Sequence, residues 1–320
     1  MILGLLLAAA LSAPSVPARP VTTLEATSAP ADVTGVQKDH LPLAPLPDSR
    51  LTVGVTVGGQ GPFRFLVDTG ADRTAISHQL AERLGLAPGR GVRMHSVTGM
   101  THARTAAVRD LRVAARALPD VTAPLLDANH VRADGILGTD VLRSALVRFD
   151  FRAGLLSIST PRRRAQRDGD DTIVVEARQR AGRLIVTEAE ADGQRLVVVL
   201  DTGSEVTIGN RALRAALNRR RLLREGGNIE LASVTGEKLP ATYMALDELR
   251  IGGLTLTDLG IAFADAHTFA VMGLTDRPAL LLGMNALHAF DSVTIDLAAR
   301  KLRFDLPSGE AREVSGRRAS

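Results

Sequence analysis

Two aspartates stand out because each ends an apolar run and each is followed by the same pair of residues. Asp68 closes Phe65-Leu66-Val67 and leads into Thr69-Gly70-Ala71, while Asp201 closes Val198-Val199-Leu200 and leads into Thr202-Gly203-Ser204. Their separation of 133 residues is too long for one local motif and matches one copy of a small domain. A repeated acid implies a site built twice. Two carboxylates within a hydrogen bond of each other cannot both ionise cheaply, so the pair holds one proton between them. That places a base and an acid side by side. The glycine lets the backbone turn sharply, approach its twin and donate an amide to the carboxylate.

The elements that must position these acids also recur. Leu51 to Val57 alternates as a strand, Gly58 to Pro62 turns it, and Phe63 to Val67 returns to deliver Asp68. Arg183 to Thr187, the turn Asp192-Gly193-Gln194 and Leu196 to Leu200 deliver Asp201 in the same way. A short helix follows in each copy, from Ser77 to Leu84 and from Asn210 to Leu217, with Ser77 and Asn210 as N-caps. Hairpin tips come next, His95 to Met100 and Ala232 to Glu237, reversing at Thr98-Gly99 and Thr235-Gly236. Then each copy has an apolar strand breaking at Gly138 or Gly283 into a short helix, and a closing hairpin at 147–151 or 293–297. The offset between copies rises from 133 at the acids to 137 at the tips and 145 at the late glycine, so copy two carries small loop insertions.

Composition narrows the class. With 320 residues and 45% hydrophobic content the chain buries a substantial core, and frequent turn signals between short β-prone runs favour strands. Cysteine is absent, which excludes disulfides, a thiolate nucleophile and cysteine-ligated zinc. The net charge is only +4 and no aromatics interleave with Arg162-Arg163-Arg164 or Arg219-Arg220-Arg221, so these runs read as solvated faces and not as a nucleic-acid surface. The seven histidines show no metal-binding spacing, and no nucleophile elbow, phosphate loop or dinucleotide fingerprint is present. Ile2 to Leu11 followed by Val16-Pro17-Ala18 reads as a signal peptide cleaved after Ala18, which leaves no membrane span and predicts an exported protein, periplasmic or secreted; the alternative is an uncleaved anchor. The expected organisation is a signal at 1–18, a flexible leader at 19–48, an N-terminal lobe at 49–160, a linker at 161–171, a C-terminal lobe at 172–307 and a polar tail at 308–320, with ordered structure starting near Arg50.

Asp68-Thr69-Gly70-Ala71-Asp72 with Thr74, the tip Thr98-Gly99, and Ile136-Leu137-Gly138-Thr139-Asp140-Val141-Leu142 together resemble the retropepsin-like aspartic proteases, and Asp201, Gly236 and Gly283 repeat the pattern. The resemblance covers roughly residues 50 to 305. It implies a mostly β, bilobal acid-protease fold with two pseudo-twofold-related lobes, short helices and hairpin flaps over a shared cleft, here held in one chain as in pepsin. Two departures matter. Thr139 and Met284 stand where viral members carry arginine, so that ion pair is not expected, and Tyr243, the only tyrosine, is no evident counterpart of the pepsin flap tyrosine.

The resemblance implies an aspartic endopeptidase acting on extended polypeptide, as a monomer and without metal or cofactor. Asp68 and Asp201 are the catalytic pair. Thr69, Gly70, Thr202, Gly203 and Ser204 support them, the two threonines by bonding across the lobes. Ala71, Asp72, Glu205, Thr98, Gly99, Thr235 and Gly236 line the cleft, where Asp72 and Glu205 would select basic or polar side chains. Because Ser204 replaces Ala71 in copy two, its hydroxyl is expected to favour the charged form of Asp201, leaving Asp68 as proton carrier. The alternative is a peptide-binding module that uses the same cleft without cutting. A glycosidase would need the acids farther apart and aromatic sugar platforms, which a chain with no Trp and one Tyr does not supply.

Overall fold

The computed structural model describes residues 50–113, 116–159, 172–180, 183–219 and 224–307, together with the backbone of short strands at 2–3, 7–10, 39–42 and 44–45. The signal cleavage site, most of the leader, the linker and the polar tail lie outside the described residues. Strands begin earlier than Arg50: Asp39–Pro42 pairs with 155–158, and Ala44–Pro45 with Leu51-Thr52. Ile2–Leu3 runs beside Met94-His95, and Leu7–Ala10 beside 230–233.

The fold is mostly β, and its two halves repeat one strand order. In the N-terminal half the neighbours run Pro88–His95, Met100–Val108, Val121–Leu126, Ala75–Ser77, Gly135–Leu137, Gln60–Val67 and Leu51–Val57. The C-terminal half runs Arg224–Ser233, Lys238–Ile251, Leu254–Phe263, Thr207–Gly209, Ala279–Leu282, Gln194–Leu200 and Arg183–Ala191. Each first hairpin follows from period-two burial, with Leu51, Val53, Val55, Val57, Phe63, Phe65 and Val67 all in the core. Positive φ at Gly58 and Gly59, and at Asp192 and Gly193, gives the tight turns whose twist suits a β-hairpin. The helices His78–Arg83 and Arg211–Arg219 start as the caps predict: Ser77 Oγ accepts from Leu80 N–H (3.0 Å) and Asn210 Oδ1 from Leu213 N–H (2.8 Å).

The sequence alone does not show that the two closing hairpins meet. Leu146–Asp150 pairs with Ser292–Asp296 from Leu146↔Asp296 to Asp150↔Ser292, and Thr172–Glu176 extends the same sheet along Lys301–Asp305. This six-stranded sheet joins the halves and belongs to neither lobe alone. Phe149, Val293, Ile295, Leu302 and Phe304 of this sheet are buried in one continuous cluster with both lobes. Truncating Phe149, 1% exposed, to Ala is therefore expected to cost about 3–5 kcal/mol, read as a lower midpoint in denaturant titration. A loss below 1 kcal/mol would remove this sheet as the mechanical join.

Candidate active site

Each acid arrives at the end of a strand that lies parallel to the late apolar strand of its own half. Phe65, Leu66 and Val67 sit opposite Gly135, Ile136 and Leu137, and Asp68 N–H donates to Leu137 O (3.0 Å). Val199 and Leu200 sit opposite Leu281 and Leu282, and Asp201 N–H donates to Leu282 O (3.1 Å). The segment after each triplet is then tied to the late motif. Thr74 N–H and Oγ1 donate to Asp140 Oδ1 (2.9 and 2.8 Å), and Thr207 N–H and Oγ1 donate to Asn285 Oδ1 (2.8 Å each). Gly138 N–H and Gly283 N–H donate to the same threonine oxygens. A hydrogen-bond clamp, made by the Asp140 carboxyl in one half and the Asn285 amide in the other, thus stands where no arginine ion pair was expected.

The two triplets interlock across the lobes. Thr69 N–H donates to Thr202 Oγ1 (3.0 Å) and Thr202 N–H to Thr69 Oγ1 (3.3 Å), while the hydroxyls donate onward to Leu200 O (3.4 Å) and Val67 O (2.8 Å). Gly70 N–H donates to Asp68 Oδ1 (2.7 Å), and Gly203 N–H to Asp201 Oδ1 (3.1 Å). The glycines are required by close approach: a Cβ on Gly70 would lie 2.5 Å from Asp201 Oδ1, and one on Gly203 2.4 Å from Asp68 Cγ. Each glycine therefore packs on the acid of the opposite lobe.

Both acids are fully buried, 0% and 1% exposed, each lies against the glycine of the opposite triplet, and their outer Oδ2 atoms are buried with no hydrogen-bond partner among the described residues. Burial first, and then the charge of Asp201, push the Asp68 carboxyl well above the ordinary range. Burial also raises Asp201, but the Arg183 guanidinium and the Gly203 amide pull it back, leaving it at about 6. Asp201 is thus the more readily ionised acid, for a different reason from the one the sequence offered. The Ser204 hydroxyl donates to Val206 O (2.7 Å), and only the Ser204 backbone amide reaches Asp201, as a minor contribution. Ala71 is buried behind Asp68. Asp72 is partly buried, and burial, partly offset by Arg183 and Arg73, raises it to about 6. Glu205 occupies the matching place in copy two and is likewise partly buried.

The tips close over the pair. Thr98 Oγ1 donates to Glu237 Oε2 (3.2 Å), joining one tip to the other, and Ser96 and Ser233 hydroxyls bond the Thr98 and Thr235 hydroxyls within their own turns. Gly99 is partly buried, while Gly236 is exposed and sits against the His130 ring of the opposite lobe. Val97, 0% exposed, belongs to a cluster otherwise made of C-terminal residues such as Ile208 and Phe269; Val234, 1% exposed, belongs to one of N-terminal residues such as Leu66 and Ile136. Each flap therefore buries its valine in the other half.

Three contacts had no clear signal in the sequence. His95 Nδ1 and His267 Nε2 lie 2.8 Å apart with the rings stacked, and His267 N–H donates to Val97 O (2.8 Å), which fastens the first flap to the second lobe. A bond between two ring nitrogens needs one protonated and one bare, so charging both rings breaks it. Glu237 meets the first tip, and His130 the second, from afar in sequence. Arg183 alone left a trace, since it precedes Asp201 by the same 18 residues that separate Arg50 from Asp68.

Two buried acids at a pseudo-twofold axis, with β-hairpins over them, define an acid-protease fold. The model of the aspartyl protease family matches residues 53–141 and 187–286, once over each half and over more than half of the chain, and the protein belongs to that family. Among curated proteins no match is found.

Because Asp201 keeps its proton to higher pH in the fold than in the unfolded chain, the folded state binds more protons between about pH 4 and about pH 6, and stability falls as pH rises through that window. Asp201→Asn is expected to stabilise the protein at pH 7.5 by about 2–3 kcal/mol, the worth of roughly two pKa units. The gain should disappear near pH 4 in thermal unfolding, and a gain that does not change with pH would contradict this origin.

Proposed function

We propose that this protein is a single-chain aspartic endopeptidase that hydrolyses peptide bonds in extended polypeptides. The observation that carries the reading is the pair of fully buried carboxyls, each held by the amide of its own glycine and packed against the glycine of the opposite triplet. In the working state Asp68 holds the proton and Asp201 is ionised. Asp201 takes a proton from a water lying between the acids as that water adds to the scissile carbonyl carbon. Asp68 donates a hydrogen bond to the carbonyl oxygen, and the proton is then passed to the leaving amine. The amides of Gly70 and Gly203 spread the negative charge, and the threonine interlock keeps the two carboxyls in register. The substrate lies as an added strand between the flaps, its backbone paired with the tips around Thr98-Gly99 and Thr235-Gly236. Asp72 and Glu205, one residue beyond Ala71 and Ser204, flank the strand and favour basic or polar side chains. The apolar N-terminal segment and the leader support export to the periplasm or beyond, with the enzyme acting as a monomer.

One ionised and one protonated acid exist above the Asp201 value of about 6 and below that of Asp68, so activity is expected to rise through pH 6 and to fall again where Asp68 loses its proton. The two apparent values belong to the pair. One observation favours the rival reading of a peptide-binding module: the acids are wholly covered by the flaps.

Digestion of a peptide library across pH 4–8 separates the two readings. The parent is expected to cleave, and Asp68→Asn and Asp201→Asn each to lose about 10²–10⁴-fold in rate. Peptide binding by the parent with no cleavage at any pH would establish the module, and cleavage surviving either substitution would refute the pair.

A further inference from the structure

We propose that Arg183 is a positioning residue that makes the two acids unequal, gripping the Gly70 peptide from the opposite lobe and holding Asp201 as the proton acceptor. The inference rests on the acid-pair reading above. Arg183 begins the acid-bearing hairpin of the second half and is 0% exposed. Its Nε and Nη2 both donate to the Gly70 carbonyl, at 2.8 and 2.5 Å. That carbonyl belongs to the residue whose N–H holds Asp68 and whose Cα side lies against Asp201. One fork therefore fixes the peptide that touches both acids. Nη1 is buried and has no hydrogen-bond partner among the described residues, so the guanidinium charge is not dispersed by further bonds.

A fully buried cation beside a buried acid pair biases which proton leaves first, because the low local dielectric leaves the attraction largely unscreened. Arg183 favours the charged form of both acids, and at Asp201 it is the strongest such influence, ahead of the Gly203 amide. Of the other charged groups nearby, Asp72 also feels Arg183, and Arg73 and Asp140 act on Asp72. Duplication placed Arg50 at the matching position of the first half, equally buried, where its Nη2 donates to Val131 O (3.3 Å) of its own half.

The test compares Arg183→Met, Arg183→Lys and Arg50→Met, with thermal unfolding as the check on folding and the pH profile of kcat/KM on a cleaved peptide as the readout. Arg183→Met is expected to move the acid limb up by about one pH unit or more, which lowers the rate about fivefold or more at pH 6 and much less at pH 7.5. Arg183→Lys should restore part of the limb through its charge, without the fork. Arg50→Met should lower the melting temperature and leave the limb in place. An unmoved limb in a folded Arg183→Met, or an equal movement in Arg50→Met, would overturn the proposal. If Arg183→Met does not fold, the Lys variant decides: full restoration of both limb position and plateau rate would show that the fork is irrelevant. Carbon-13 titration of the aspartate carboxyls in parent and Lys variant reads the same inequality without turnover. A parent that cleaves nothing defeats the endopeptidase reading, while the titration still tests Arg183.

Discussion

Burying two carboxyls against each other is the costliest arrangement in this molecule, and much of the surrounding structure offsets it. An isolated carboxylate in a protein interior gives up hydration worth far more than a single hydrogen bond returns. Here the cost is reduced by keeping one proton between the two acids, by two glycine amides aimed at the inner oxygens, and by a buried guanidinium one peptide away. The threonine interlock adds no charge. Its four bonds run between backbone and hydroxyl across the lobes, so neither loop can shift without breaking contacts of the other.

That rigidity at the acids would be lost if the lobes could slide. The shared six-stranded sheet prevents sliding by pairing a hairpin of one half with a hairpin of the other along five consecutive residues. Its buried face runs without a break into the cores of both halves. The site and the join are therefore parts of the same solid body.

Much of the local structure was legible in the sequence. The acid-bearing hairpins, their caps at Ser77 and Asn210, and the strand-to-helix breaks at Gly138 and Gly283 each have a short-range cause: alternation, a side chain that accepts from the first turn, or a glycine where no Cβ fits. The contacts between halves were less accessible, because pairing of Leu146 with Asp296, or of His95 with His267, depends on distances no window can span. Ser204 shows the same limit at close range. A hydroxyl three residues beyond an acid reads as a donor to it, but the local turn directs it to Val206 instead. Burial of Arg183 ran against expectation, since arginine is rarely enclosed. Only its register with Arg50 across the duplication marked it.

The exchange of valines between the flaps also bears on selectivity. With Val97 seated in one half and Val234 in the other, the covered state is held by about 2 kcal/mol or so of apolar burial for each tip, besides the bond from Thr98 to Glu237. Any chain that reaches the acids must first make up that loss from its own contacts. Admission to the acids is therefore set by how well an entering group replaces those two valine seats.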